Sequence, residues 1–148
     1  MRNTLLLALL TLICPPLATP AKTPVAVLSD DPICLAWVVS NEAKGEPLRG
    51  QKAVYDVVQH RMSLRKKTAC EVVKEAHQFS GYHKGMHLHV DDLMLTRLEK
   101  LRKMAPVVRD CDYFHAVYVK PAWRLKMQKC EQINNHIFYR IPPKEKHK

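Results

Sequence analysis

Asp30 to Pro47, DDPICLAWVVSNEAKGEP, reads as one buried helix with both ends written into the sequence. Asp30 and Asp31 offer an acidic N-terminal cap, and Pro32 sits at the first helical position, where its missing N–H is no loss. Ile33 to Ala43 is apolar nearly all round until Ser40, the pattern of a helix with neighbours on every side. Gly45 stands where a left-handed C-terminal cap is wanted, and Pro47 acts as a stop. Glu42 is the residue this pattern makes unusual. It shares a helix face with Leu35, Val38 and Val39, so its carboxyl is expected along the apolar stripe. Desolvation and the negative end of the helix dipole would both raise its pKa there. Periodicity alone leaves open an exposed last-turn Glu or a salt-bridged one.

Downstream, Arg49 to Met62 predicts a second helix with Val54, Tyr55, Val57, Val58 and Met62 on one stripe. Thr68-Ala69-Cys70-Glu71 is a capping box opening a short third helix through Val72, Val73 and Ala76. An irregular stretch, His77 to Val90, holds Gly81 and Gly85. Asp91-Asp92 then caps a fourth helix, with Met94, Leu98, Leu101 and Ala105 at helical steps and Pro106 as its end. After that the pattern changes. Tyr113 to Val119 (YFHAVYV) and His136 to Ile141 (HIFYRI) are aromatic and β-branched, each bounded by turn formers. They predict two antiparallel strands joined by a connection carrying Trp123. The class is α+β, a mostly helical domain with a small antiparallel sheet.

Arg2, the apolar Thr4 to Cys14, and then Pro15, Pro16 and Pro20 read as a signal peptide over residues 1–21, cut near Ala18 or Ala21. Residues 22–32 are then a linker, 33–141 the domain, and 142–148 a basic tail. The apolar run falls short of the ~20 residues that cross a bilayer, so no integral span is expected after leader removal. Export would place the chain in the periplasm or outside the cell, with Cys34, Cys70, Cys111 and Cys130 retained. An even number there predicts two disulfides with three connectivities open; Cys111 with Cys130 is preferred, leaving Cys34 with Cys70.

At 148 residues, 47% hydrophobic and with 4 Gly, the chain is one domain, and disorder or low complexity is excluded. A formal charge of +10 favours anionic envelope polymers as partners. The basic residues are dispersed without a recognisable motif, so nucleic acid is not an expected partner. His83, His87 and His89 form an H-x₃-H-x-H cluster, but no carboxylate or helix fixes its geometry. No metal or other cofactor is expected, and a solvated loop is the default.

Trp37 to Val58, WVVSNEAKGEPLRGQKAVYDVV, resembles the signature of the SleB-type cell wall hydrolases: an apolar helix, then E-A-x-G-E-P, then G-Q-x-A-V. Further matches follow in order at Cys70-Glu71-Val72-Val73, Gln78-Phe79-Ser80, Tyr113-Phe114-His115-Ala116, Pro121-Ala122-Trp123 and His136 to Arg140. The resemblance covers Cys34 to Arg140. It implies a compact lysozyme-like fold acting on peptidoglycan glycan strands. The implied cut lies between N-acetylmuramic acid and N-acetylglucosamine, by a lytic transglycosylase or muramidase-like enzyme with Glu42 as the catalytic acid. Two positions depart from the pattern: Gly81 follows Ser80 where relatives often carry Trp, and Lys44 stands where Arg is usual.

Glycosidic cleavage requires a carboxylic acid that keeps its proton near neutral pH, which fits the environment read for Glu42. In a lytic transglycosylase the muramic 6-hydroxyl attacks its own C1, so one carboxylate serving as general acid and then base suffices. A hydrolase would use a second, and Glu46 is the nearby candidate, although its place beyond Gly45 favours ordering of the turn. Gln78 suits acetamido groups, and Phe79, Tyr113 and Trp123 suit pyranose faces. Glu46, His136 and Tyr139 complete the expected substrate-binding set, with His115 and His136 bracing the sheet and cleft more than acting as bases. Taken singly, Gln78, Phe79, Tyr113 and Trp123 are each more often ordinary core, and the family resemblance moves Gln78 and Tyr113 to about even. The expected protein is an exported, monomeric, peptidoglycan-cleaving enzyme. The alternative is a non-catalytic cationic module that binds the envelope without cutting it.

Overall fold

A computed structural model describes residues 31–75, 78–79 and 81–143. The leader, nearly all of the linker and residues 144–148 of the tail lie outside the described residues, as do Ala76 (the expected end of the third helix), His77 and Ser80.

Helix α1 (Asp31–Glu42) buries Cys34 through Val39 without a break, and α2 (Leu48–Arg65), α3 (Ala69–Val73) and α4 (Asp92–Arg102) pack around it. Gly45 takes a φ of +82°, in the left-handed region that favours glycine, so the chain can leave α1 and turn at once into α2. A disulfide between Cys34 and Cys70, with Cα atoms 5.1 Å apart, ties α1 to α3. The capping box at the start of α3 forms as its sequence indicates: Thr68 Oγ1 accepts from Glu71 N–H at 3.2 Å, and Glu71 Oε2 accepts from Thr68 N–H at 2.8 Å.

Helix α2 departs from the single apolar stripe expected of it. Gly50 through Val58 are all buried, because α1, α3, α4 and the sheet cover this helix from several directions. Its polar side chains are taken inside with partners. Lys52 Nζ lies 2.8 Å from Asp56 Oδ1 one turn on, while Asp56 Oδ2 accepts the backbone N–H groups of Val107 at 2.6 Å and Val108 at 3.3 Å. The pair thereby staples the chain beyond α4 to the central helix. Helix α4 begins at the Asp91 cap, whose Oδ1 accepts from Met94 N–H at 2.7 Å, and buries Leu98 and Leu101. It ends at Arg102, short of Ala105. Met104 N–H turns back to the Leu101 carbonyl, and Pro106 biases the residue before it away from helix.

The sheet has three strands in place of two. Strands β1 (Tyr113–Ala116) and β3 (His136–Arg140) pair antiparallel, with Tyr113 opposite Tyr139 and Ala116 opposite His136. Strand β1 stops before Val119 because Val117 N–H is drawn to the Asn135 carbonyl and Val119 N–H folds back on Ala116. The strand absent from the sequence reading is β2 (Gln128–Ile133), which pairs with β3 and gives the order β1-β3-β2. Its sequence QKCEQI is too polar to resemble a strand, as suits an edge with most of its side chains in or near water. The register shifts between Lys129 and Glu131, and the bulge carries Cys130, which is disulfide-bonded to Cys111. Between β1 and β2 a 3₁₀ turn (Ala122–Lys126) carries Trp123. Among the described residues no helix is long and apolar enough to cross a membrane.

Asp56→Ala would leave Lys52 inside the fold without its carboxylate, with only the Tyr55 ring beside it, and orphan the Val107 and Val108 amides. Urea unfolding should show a loss of about 3–5 kcal/mol, the usual result of removing one member of a buried pair.

Candidate active site

One face of the molecule holds a cleft of about 860 Å³, walled by the end of α1, by α2, and by β1 with the segment that follows it. Glu42, the last residue of α1, lines it. The buried run Cys34 to Val39 carries the helix axis into the cleft wall, so its final turn is the part that emerges. Burial raises the Glu42 pKa above the ordinary carboxylate value, and the positive charge of Arg61 opposes that rise. Among the described residues that line the cleft, Glu42 is the sole carboxylate. A second hollow, about 360 Å³ between Leu48 and α4, is lined by Leu, Thr, Gln, Arg and Lys and offers no acid.

Arg61 is the functional candidate that sequence reasoning missed. It lies on α2, is 4% exposed, and lines the cleft with Glu42. Its Nε donates to the Asp112 carbonyl at 2.6 Å, and the guanidinium lies 5.4 Å from the Phe79 ring centre and 5.6 Å from that of Tyr113. These contacts fix the cation at both stem and head. Burial and the neighbouring Arg65 push its pKa down to about 10, so it stays charged at neutral pH. Nothing local in RMSLRKK distinguishes this arginine from its solvated neighbours, since Asp112 is 51 residues away in sequence.

The expected site residues divide into two groups. Gln78, Tyr113, Trp123 and His136 share the cleft with Glu42. Glu46, Phe79 and Tyr139 do not line it; all three are buried behind its surface. Phe79 sits beneath Arg61, Tyr139 hydrogen-bonds His115 Nε2 through its hydroxyl at 3.0 Å, and Glu46 Oε1 faces His136 Nδ1 at 3.6 Å. Trp123 packs against Tyr113, His115 and Tyr139 with ring centres 5.4 to 5.6 Å away, so its indole is held by a layer of aromatic supports. Burial lowers the His136 pKa, with Glu46 pulling upward and His115 downward. His83, His87 and His89 are exposed, and no group of metal-binding side chains converges among the described residues.

The cell wall hydrolase family model matches residues 45–139. The chain belongs to the cell wall hydrolase family. It is thus a peptidoglycan-degrading enzyme, and its mostly helical fold with a small antiparallel sheet is shared with solved structures. One is the catalytic domain of the germination-specific lytic transglycosylase SleB from Bacillus anthracis, with a TM-score of 0.66 and 21% identity over 80% of this chain and 100% of that one. Another is the catalytic domain of the Bacillus cereus SleB protein, with a TM-score of 0.63 and 23% identity over 76% of this chain and 91% of that one. No curated protein sequence matches the chain. In this cell wall hydrolase Glu42 lies just ahead of the matched stretch, so its assignment depends on its place in the cleft.

The raised pKa has a consequence for stability with a definite sign. Between the ordinary Glu pKa and the raised folded one, the native state binds more protons than the unfolded chain, so stability falls as pH rises through that window. Glu42→Gln removes the penalty. Thermal unfolding should show the Gln variant gaining on the wild type as pH rises toward neutral, with the gap closing below the ordinary Glu pKa.

Proposed function

We propose that this cell wall hydrolase cuts the bond between N-acetylmuramic acid and N-acetylglucosamine as a lytic transglycosylase, with Glu42 as general acid. The observation that carries this reading is the single carboxylate in the cleft. Glycosidases that use water ordinarily need two carboxyl groups flanking the bond. Transfer to the sugar's own 6-hydroxyl needs one proton donor, because the proton shed by that hydroxyl balances the one given to the leaving oxygen.

Glu42 would protonate the glycosidic oxygen as the bond to C1 breaks, and the 6-hydroxyl would close on C1 to give an anhydro sugar. Glu42, ionised by then, is the final acceptor of the hydroxyl proton, which resets the site. Arg61 is the nearby cation available to stabilise that carboxylate as it forms. Gln78 Oε1 is buried without a hydrogen-bond partner among the described residues, an acceptor suited to the N–H of an acetamido group. Tyr113 and Trp123 offer faces for pyranose rings.

The reading extends to export: the leader over residues 1–21 would carry the chain, as a monomer, to the periplasm or the cell exterior where its substrate lies. Its formal charge of +10 would favour encounter with an anionic wall.

Purified sacculi provide the test. Wild-type protein should release soluble muropeptides whose mass spectra show anhydro-muramic ends, and Glu42→Gln should slow release by ~10²-fold or more while still sedimenting with sacculi. Reducing ends in place of anhydro ends would overturn the transglycosylase assignment. A fully active Glu42→Gln would overturn the choice of acid.

A further inference from the structure

Single-acid chemistry leaves a second pair of ionisable side chains at the cleft unused. His136 opens β3 and lines the cleft with Glu42, and its Nδ1 is buried, 3.6 Å from Glu46 Oε1. Glu46 is itself 6% exposed and absent from the cleft wall, so the imidazole stands between that carboxylate and the cleft. His136 Nδ1 has no hydrogen-bond partner among the described residues, and the nearest charged group it faces is the Glu46 carboxylate, at Oε1, whose other oxygen, Oε2, is likewise buried and unpartnered.

The carboxylate is held there from several sides. Gly45 turns the chain at a φ of +82°, Glu46 N–H donates to the Ala43 carbonyl at 3.0 Å, and Gln51 Nε2 donates to the Glu46 carbonyl at 2.7 Å. Gly50 supplies the space: a Cβ there would stand 2.7 Å from Glu46 Oε2 and 3.1 Å from Glu46 Cβ. The imidazole is held by Phe114, edge-on with ring centres 5.4 Å apart. Glu42 and Glu46 flank a single tight turn, so the general acid and the buried pair are positioned by the same short segment.

We propose that His136 Nε2 is the first acceptor for the proton of the attacking hydroxyl, and that Glu46 is its positioning residue. With Nδ1–H directed at Glu46, the Nε2 lone pair is the one left for the cleft. The step balances: Glu42 gives its proton to the leaving O4, which departs with the C1–O4 electron pair. The muramic O6 forms its bond to C1 and passes its proton to Nε2, and the imidazolium later returns that proton to the Glu42 carboxylate. The Glu46 charge stabilises the imidazolium while it exists, the part a buried carboxylate plays behind a histidine base. Burial favours the neutral, accepting imidazole beforehand, and His115 reinforces this, while Glu42, Arg61, Tyr113 and Tyr118 are the other ionisable side chains that line the cleft among the described residues. The proposal rests on the transglycosylase reading and adds to it the route of one proton.

Two measurements on the full chain test it. Nitrogen-15 NMR of the wild-type imidazole at neutral pH should show His136 as the Nδ1–H tautomer; an Nε2–H tautomer would overturn the proposal whatever the variants do. In muropeptide release, His136→Gln should lower kcat by ~10²-fold with KM little changed. Glu46→Gln and Gly50→Ala, which weaken or displace the positioning carboxylate, should each lower kcat by up to ~10²-fold and shift the tautomer balance of His136. If His136→Gln turns over within twofold of wild type while Glu42→Gln is inactive, His136 is a structural brace and the transglycosylase reading stands. If both variants are active, the fault lies with the reading of Glu42.

Discussion

A carboxyl group that donates a proton to an ether oxygen has to meet two demands that oppose each other. It needs enough burial to hold its proton near neutral pH, and enough access to touch a polymer. In the proposed site both demands would fall on Glu42, the last residue of a helix whose middle is buried. Cys34 to Val39 are covered on all sides, and Glu42, at the end of α1, stands in the wall of the cleft. The apolar core does more here than hold the molecule together, since the same packing that stabilises α1 sets the dielectric around Glu42. The left-handed turn at Gly45 then lets the chain leave the helix without obstructing the site.

The cleft is built in two layers. Glu42, Arg61, Gln78, Tyr113, Trp123 and His136 face the space, and Phe79, Tyr139 and Glu46 stand behind them. Strand β3 links the layers, because it carries His136 at one end and Tyr139 at the other and is paired on both edges. Tyr139 stacks on His115, with ring centres 5.2 Å apart, and both rings support Trp123. Backing of this kind limits the rotamers open to the exposed layer, so less conformational entropy would be lost if a ligand were ordered against it.

How far the sequence could be read depended on whether the signal for an element was local. Helix α1 was legible from its apolar run and its glycine stop. The capping box at Thr68 and the cap at Asp91 were equally plain, because each uses residues within one turn of one another. Strand β2 was not legible, since an edge strand with a polar, bulged sequence owes its pairing to β3 and nothing to its own periodicity. The buried polar side chains of α2 were hidden for the same reason. Lys52, Asp56 and Arg61 look like a solvated helix face until the segments around Val107 and Asp112, some 51 residues on, are brought against them. Of the residues that line the cleft, Glu42 was singled out from its helix, and Tyr113, Trp123 and His136 from the family resemblance. Arg61, whose partners are all distant in sequence, had no local signature.

In the proposed mechanism Arg61 would also tune the acid. Burial raises the Glu42 pKa and so favours the protonated form, but burial alone would make a reluctant donor, since its conjugate base would be a poorly solvated anion. A fixed cation nearby lowers the energy of that anion without having to reorganise as it forms. If Glu42 is the acid, the interaction would be small while it is neutral and grow as the proton leaves, favouring the transition state over the ground state. That arrangement requires the guanidinium to be both charged and immobile. Its pKa of about 10 leaves it charged at neutral pH. The bond from Nε to the Asp112 carbonyl and the rings of Phe79 and Tyr113 hold it in place. Burial and the buried arginine thus act on the Glu42 pKa in opposite directions, with burial the larger, and in the proposed mechanism their difference would set the strength of the acid.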